Sequence, residues 1–305
     1  MPGRVKPKVS YLLSVYNGEK TLSSTLESLF NQKDIDLEII AVNDGSADNS
    51  LKILKKYAAS DRRLKIFQRF HLGLSLSRNF AVKKAKGDYL ASASQDDIYL
   101  PDKSISQINY LKEKNLDFCF TQVEIIDEGG HIINHRSKKI YNAPLLPHPF
   151  TFFQVMFFWN VCSPTFLCKS YCYDKIKWHP SIFPFSDKNL WLKMLLEYKG
   201  GKLPQISLYR RLQPSAKQQN FSNIPLDFLY LEHRAAVLSA LLYKFIPPGF
   251  ILPLNNFLRV VKCFLEVEKD PADLSAYRNL AAVYRKLNYT LAVKNLEEIM
   301  EFLKT

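Results

Sequence analysis

The chain has 305 residues, of which 47% are hydrophobic and 13% aromatic, and its formal net charge is +13. This balance is typical of a globular protein, excludes a disordered chain and favours a catalytic domain with a smaller appendage. The positive charge suits a nucleotide diphosphate or an anionic membrane face. Because no recognition-helix, aromatic RNP or zinc-finger pattern accompanies the charge, we expect no nucleic-acid partner. Peripheral contact with an anionic membrane stays open.

The location is predicted from the apolar segments. The strand-like run Val9 to Val15 is too short for a signal peptide, and the stretches 150–159 and 235–254 are too short or too interrupted to span a membrane. We therefore expect a cytoplasmic protein. The five cysteines lack zinc spacing, and we expect buried free thiols.

Apolar runs alternate with amphipathic segments over the first hundred residues, an order typical of a parallel α/β sheet. Strands are predicted at 9–15, 37–42, 64–67 and 88–93, with helices at 21–32, 48–59 and 74–86. Further along, a helix is predicted at 101–114, a strand at 118–126, a proline-containing loop at 140–149, a short strand at 165–169, a helix at 187–198 and a strand at 206–211.

After about residue 220 the pattern predicts helices alone, at 226–245, 254–268, 273–287 and 291–303. We therefore predict a catalytic domain at 1–220 and a helical C-terminal extension at 221–305. Residues 271–305 resemble a tetratricopeptide-like hairpin. An ordinary helical hairpin is favoured over a repeat, because a single repeat cannot bury its own faces.

Polar clusters follow three of the predicted strands, at 16–19, 43–46 and 94–97. In open α/β sheets, ligands bind beyond the carboxyl ends of the strands. The sequence therefore predicts that these three loops converge on one ligand.

Four segments of the sequence resemble, in order, the motifs of glycosyltransferase family 2. Glu38–Ser50 is similar to the family's strand that ends in an Asp-Asp-Gly-Ser-like turn, and Val15–Glu19 to its first nucleotide-binding loop. Gly73–Asn79 contains the Arg-Asn pair, and Gly87–Pro101 resembles the strand that leads to the Asp-x-Asp metal motif.

The resemblance implies a GT-A (Rossmann-like) fold, in which helices flank a mostly parallel central sheet. It also implies inverting transfer of a sugar from a nucleotide-diphosphate sugar, with UDP favoured, to a hydroxyl of a glycan or lipid-linked acceptor. Such chemistry is typical of cell-surface polysaccharide synthesis.

By the same resemblance, Asp44 would bind the nucleotide base and Arg78 the diphosphate. The implied nucleotide-sugar contacts are Val15, Tyr16, Asn17, Glu19, Asp44, Gly45, Ser46, Arg78, Gln95 and Asp96. Other interpretations stay open: an Asx turn at Asp44, helix caps at Asn17 and Glu19, and a surface ion pair at Arg78.

A divalent cation held by a carboxylate stabilises the charge that a departing nucleoside diphosphate gains, so Mn²⁺ or Mg²⁺ is the implied cofactor. Adjacent side chains diverge, so we expect Asp96 to face the metal and Asp97 to brace the loop, with Asp97 as a second candidate metal ligand. Ser94 stands where many family members have the first aspartate, which argues against tight metal binding. A plain turn and helix cap before Pro101 is the alternative.

The segment Pro184–Lys193 resembles the family's Glu-Asp pair at the start of a helix, with Ser186 in place of the glutamate. The resemblance makes Asp187 the base that accepts the acceptor's proton; a plain N-cap is the alternative.

Arg210 or Arg211 is either a diphosphate contact or a solvated charge. The serines at 94 and 186 leave open a catalytically impaired relative that binds nucleotide sugars. A nucleic-acid-binding protein is the second alternative, and the positive net charge is nearly its only support.

Overall fold

The computed structural model describes residues 5–146, 150–157, 161–179, 186–212 and 274–286, with single residues at 263, 266, 293, 297, 300 and 301. The chain divides into two compact units. The first comprises Met1–Ile176 with Glu197–Ser215, and the second comprises Lys177–Leu196 with Ala216–Thr305. The domain boundary at residue 220 stays a prediction.

One mixed sheet of eight strands forms the centre of the first unit. Its strands are β1 (Lys8–Val15), β2 (Asp36–Asp44), β3 (Leu64–Arg69), β4 (Tyr89–Ala93), β5 (Ile98–Tyr99), β6 (Phe118–Ile126), β7 (Leu167–Lys169) and β8 (Gly200–Arg211). Their order is β3-β2-β1-β4-β7-β6-β8-β5. The β3-β2-β1-β4 block and the β6–β8 pair are parallel, whereas β7 pairs antiparallel with β4 and β6, and β5 with β8.

Helices connect and cover these strands. In the first unit they are α1 (Leu22–Phe30), α2 (Ser50–Ser60), α3 (Leu74–Lys84), α4 (Lys103–Glu113), α5 (Arg136–Asn142), α6 (Phe150–Phe157) and α7 (Cys172–Lys175). The apolar residues of β1 and β2 are buried on both faces of the sheet, as is typical of parallel strands covered by helices. The predicted mostly parallel α/β sheet is confirmed.

The register of the parallel strands brings the predicted binding loops to one edge. Val15 lies opposite Asn43, so β1 and β2 end together, and Leu13 lies opposite Ala93 near the end of β4. The loops after β1, β2 and β4 therefore leave the sheet side by side.

The prediction of a loop at 140–149 is wrong for its first three residues, because α5 continues through Asn142. Lys202 Nζ donates to the main-chain carbonyls of Tyr141 and Ala143, and the Asn142 side chain binds the N–H and carbonyl of Val123. These contacts come from β8 and β6, far along the chain, and local sequence does not show them. The strand predicted at 206–211 likewise begins earlier, at Gly200, because β8 pairs along most of β6.

In the second unit, the structure describes α8 (Ser186–Glu197), whose last residue belongs to the first unit, and α9 (Leu274–Lys286). Both agree closely with the predicted helices. The helix predicted at 226–245, and most of those at 254–268 and 291–303, lie outside the described residues, so the tetratricopeptide-like hairpin stays a prediction. All five cysteines are buried free thiols, as predicted. None of the helices in the described segments is long and apolar enough for a membrane crossing.

Candidate active site

The loops after β1 and β2 are joined by hydrogen bonds. In what we call the first loop (residues 16–19), the Asn17 N–H donates to Ser46 Oγ at 3.1 Å, and Asn17 Oδ1 accepts from the Ala47 N–H at 2.9 Å. Glu19 Oε2 accepts from the N–H of Asn49, the residue that precedes α2, at 3.0 Å. The side chains of Asn17 and Glu19 therefore accept hydrogen bonds from the backbone of the second loop (residues 45–49). Neither of them caps α1, the helix that follows the first loop.

Asp44 ends β2 with a buried carboxylate that several donors surround. It accepts from the N–H groups of Leu72 and Gly73 at 3.1 and 3.0 Å and from Ser77 Oγ at 2.8 Å, and His71 Nδ1 lies 3.2 Å away. Burial alone would raise the pKa of Asp44, but the hydrogen bonds from His71, Leu72 and Ser77 outweigh it and lower the pKa. Asp44 is thus a stable anion that fixes the β3–α3 connection beside the site.

His71 belongs to this site, although no motif included it. Its ring stacks on Tyr16, with 4.0 Å between ring centroids and 22° between planes, and both side chains are exposed. Gly45 makes room for the main chain of His71: its φ is +73°, and a Cβ there would lie 2.9 Å from the main-chain nitrogen of His71. The pair forms a flat aromatic surface at the carboxyl edge of the sheet.

Gln95 joins the third loop (residues 94–97) to the first. Its Oε1 accepts from the Tyr16 N–H at 2.8 Å, and its Nε2 donates to the Tyr16 carbonyl at 2.9 Å. A Cβ on Gly18 would lie 2.7 Å from Gln95 Cδ, so glycine is needed for this approach. Thr25 Oγ1 donates to the carbonyls of Gln95 and Asp97, at 2.9 and 2.8 Å. The three predicted loops therefore form one connected surface.

The adjacent carboxylates of the third loop have different partners. Asp96 Oδ1 accepts from Ser94 Oγ at 2.5 Å, whereas Asp97 Oδ1 accepts from the Arg211 N–H on β8 at 3.0 Å. The two side chains therefore point toward different partners, although they are adjacent in the chain. Asp97 is tied to the sheet, which leaves Asp96 the better candidate for a ligand contact.

The residues at this edge fit a divalent cation that arrives with a diphosphate. Across the described residues, no three His, Cys, Asp or Glu side chains form a metal cluster of their own. Mg²⁺ and Mn²⁺ often take only one or two carboxylates from the protein and complete their shell with substrate phosphates and water. One carboxylate at Asp96 meets that minimal requirement.

The arginines near the site are buried rather than solvated. Arg78 lies in α3 with 5% of its surface exposed, so a surface ion pair is wrong for it. Arg211 donates from Nε to the Asp96 carbonyl, and from Nη1 to the carbonyls of Asp127 and Glu128. The solvated-charge interpretation is therefore wrong for Arg211, whose guanidinium joins the third loop to the turn after β6.

Arg210 has a separate environment. Its guanidinium carbon lies 5.4 Å from the centroid of the Tyr141 ring, and Nη1 contacts Cys162 Sγ at 3.3 Å. The charge on Cys162 is the main cause of the raised pKa of Arg210, burial of the guanidinium opposes it, and Tyr141, Asp97 and Asp96 raise the pKa further.

Asp187, the predicted base, lies in the second unit, in the first turn of α8. Since the helix begins at Ser186, Asp187 lies inside it and not at the N-cap. Trp178 Nε1 donates to Asp187 Oδ1 at 2.8 Å. This hydrogen bond fixes the direction of the Asp187 carboxylate in the first turn of α8.

The fold is that of a GT-A glycosyltransferase, and comparison with known proteins identifies the family. The sequence model of glycosyl transferase family 2 matches residues 10–176, more than half of the chain. The chain belongs to this family.

Three curated relatives show how far the likeness extends. Putative glycosyltransferase EpsE of Bacillus subtilis (strain 168) is 27% identical over 288 residues, 92% of this chain and 96% of that protein. The O-antigen biosynthesis glycosyltransferase WbnJ of Escherichia coli is 28% identical over 64% of this chain and 74% of its own length. An uncharacterized glycosyltransferase of Rickettsia bellii (strain RML369-C) is 29% identical over 46% of this chain, which spans only 20% of that protein.

Two solved structures resemble the chain in fold. S. aureus TarS 1–349 in complex with UDP-GlcNAc matches with a TM-score of 0.63 and 16% identity, over 96% of this chain and 90% of that one. The mannosyltransferase PcManGT of Pyrobaculum calidifontis, in complex with GDP-Man and Mn²⁺, matches with a TM-score of 0.56 and 14% identity, over 100% of this chain and 84% of that one. At these identities the likeness shows the fold alone.

Proposed function

We propose that the chain is an inverting glycosyltransferase that moves a sugar from a UDP-sugar to a hydroxyl of a glycan or lipid-linked acceptor, in cell-surface polysaccharide synthesis. The observation that carries the proposal is the hydrogen-bonded surface of the loops after β1, β2 and β4. The UDP-GlcNAc complex of TarS supports the choice of donor. The O-antigen role in the name of WbnJ supports the choice of pathway.

In this proposal the donor lies across the three loops. The uracil stacks at the exposed Tyr16–His71 pair beside Asp44, and the diphosphate extends toward Arg78 and Asp96. The remaining contacts come from the backbone and side chains of the loops: Val15, Asn17, Glu19, Gly45, Ser46 and Gln95. Asp96 would hold Mn²⁺ or Mg²⁺, with Asp97 as a second ligand only if Arg211 released it. When bound, the cation would supply positive charge that stabilises the departing nucleoside diphosphate.

The transfer needs one proton acceptor. We assign this role to Asp187, which takes the proton of the acceptor hydroxyl as its oxygen bonds to the anomeric carbon. The bond from that carbon to the diphosphate breaks on the opposite face, and its electron pair leaves with the nucleotide. Attack opposite the leaving group inverts the anomeric configuration. Trp178 supports this role because its N–H orients the carboxylate.

A donor screen tests the proposal. Wild type and Asp187→Asn are incubated with Mn²⁺, a mixture of oligosaccharide acceptors and UDP-GlcNAc, UDP-glucose, UDP-galactose or GDP-mannose, and nucleoside diphosphate release is measured. UDP binding is titrated separately by calorimetry. Release from a UDP-sugar by wild type, lost in Asp187→Asn, is the expected result. UDP binding without turnover of any donor would favour the catalytically impaired alternative, and no nucleotide binding at all would overturn the proposal.

The cellular setting is part of the proposal. A lipid-linked acceptor is presented at a membrane, and the +13 net charge favours peripheral contact with an anionic inner face from the cytoplasm. Cosedimentation with vesicles of phosphatidylglycerol, compared with phosphatidylcholine vesicles at the same ionic strength, measures this contact. Equal binding to both would count against it.

A further inference from the structure

Ser94, which occupies the place of an aspartate in many family members, makes three hydrogen bonds in this chain. Its N–H donates to Tyr99 Oη at 2.7 Å, its carbonyl accepts from Tyr99 Oη at 3.5 Å, and its hydroxyl donates to Asp96 Oδ1 at 2.5 Å. An aspartate there would be ionised and could not donate to Asp96, because a carboxylate only accepts. The serine therefore replaces a repulsive neighbour of Asp96 with a donor.

Tyr99 is a rigid support for this arrangement. Only 2% of it is exposed, and its N–H donates to Ser28 Oγ on α1 at 3.0 Å. Its ring packs edge-on against the buried Tyr11, with 6.0 Å between centroids. A side chain held at its backbone and its ring has little rotational freedom, so the position of its hydroxyl is set by the core.

The rest of the third loop is held by other groups. Arg211 Nε binds the Asp96 carbonyl, and Thr25 binds the carbonyls of Gln95 and Asp97. The backbone is therefore restrained without the Ser94 hydroxyl. That hydroxyl acts on the Asp96 carboxylate itself.

We propose that Ser94 and Tyr99 are positioning residues: Tyr99 fixes Ser94, and the Ser94 hydroxyl fixes the rotamer with which Asp96 meets the cation–diphosphate pair. The inference rests on the proposed function. It explains how a site with one aspartate fewer keeps a usable carboxylate, since an oriented ligand loses less rotational entropy on binding.

The test measures Mn²⁺ affinity by electron paramagnetic resonance in the presence of saturating UDP. Ser94→Ala and Tyr99→Phe each remove one hydroxyl, and each is expected to weaken Mn²⁺ binding about fivefold, the size of one net hydrogen bond. Ser94→Thr keeps a hydroxyl and is expected to restore wild-type affinity. Tyr11→Phe is the matched control, because it removes a buried tyrosine hydroxyl that binds Ser104 and not the third loop.

Two further measurements separate this inference from the proposed function. UDP affinity without metal, by calorimetry, is expected to be unchanged in every variant. Crystal structures of metal-free Ser94→Ala and Tyr99→Phe are expected to show the Asp96 side chain in a new or mixed rotamer. If wild type bound no UDP, the proposed function would fail while the crystal structures still decided the positioning. Wild-type Mn²⁺ affinity in Ser94→Ala, or an unmoved Asp96 in both structures, would overturn the inference.

Discussion

Trp178 and Asp187 are joined by a hydrogen bond of 2.8 Å from the indole Nε1–H to the carboxylate Oδ1. Trp178 is 1% exposed and packs edge-on against Trp191, with 6.4 Å between ring centroids and 75° between planes. Because the indole is rigid and buried, it orients the carboxylate at the start of α8. A base that must accept a proton along one direction benefits from such an orienting partner.

Loss of the proposed base and loss of the indole that orients it should slow transfer to different extents. We expect Asp187→Asn to lower kcat by about 10²–10⁴-fold, as loss of a general base does. Trp178→Phe should lower kcat about tenfold with little change in donor KM, since it removes one hydrogen bond to a charged group. Initial rates of nucleotide release measure both. Trp191→Phe, which alters the same aromatic packing but leaves the indole–carboxylate bond, is the control; an equal loss of kcat there would assign the effect to packing.

The two aspartates of the third loop should behave differently. Asp96→Asn should abolish the Mn²⁺ dependence of donor binding, because it removes the carboxylate proposed to hold the cation. Asp97→Ala should instead lower the free energy of unfolding by about 1–3 kcal/mol, because it removes the buried carboxylate that accepts from the Arg211 N–H. UDP calorimetry with and without Mn²⁺ and urea denaturation measure the two effects. If instead the Asp97 variant lost the Mn²⁺ dependence and the Asp96 variant lost stability, Asp97 would be the metal ligand and Asp96 the structural residue.

The contact between the first and third loops should govern nucleotide affinity. Gln95→Ala removes both hydrogen bonds to the Tyr16 backbone and should weaken UDP binding about tenfold. Gly18→Ala should act in the same direction, because its Cβ would lie 2.7 Å from Gln95 Cδ. Gln95→Glu keeps an acceptor for the Tyr16 N–H and should be intermediate. UDP affinity at wild-type level in Gln95→Ala would show that the loops hold together without this contact.

A buried lysine should make stability depend on pH. Lys103 is fully buried, with Nζ 2.9 Å from Gln107 Oε1, and burial lowers the pKa of Lys103 to about 7. Between that value and the ordinary 10.5, the unfolded chain binds more protons than the folded chain, so this lysine makes stability rise with pH.

Lys103→Met should therefore raise the free energy of unfolding at pH 6 by on the order of 1–4 kcal/mol, and by less at pH 9. The methionine can pack against the rings of Tyr11 and Tyr99, over which the Lys103 ammonium lies. Urea denaturation at the two pH values provides the measurement. Lys112→Met on the same helix changes an exposed lysine and should show no such pH dependence.

Much of the sheet could be predicted because its signals are local. The strand β6 was predicted with its observed limits, and β1 to β4 within about two residues, since buried parallel strands read as continuous apolar runs. The helix α5 and the full length of β8 were not predicted. Both depend on partners distant in the chain, such as Lys202 for α5 and β6 for β8.

By itself, the sequence determined the α/β class, the order of the family motifs and the edge of the sheet where the polar loops meet. Apolar periodicity, turn residues and motif spacing are all properties of short segments, so they can be recognised in the amino-acid sequence without knowledge of the tertiary structure. Only the tertiary structure decided which side chains support the candidate site. His71 stacks on Tyr16, Tyr99 holds Ser94, and Arg211 binds the carbonyl of Asp96 from 115 residues away. A hydrogen bond needs its two atoms within about 3 Å, and for residues distant in sequence that distance is set by how the strands and helices pack.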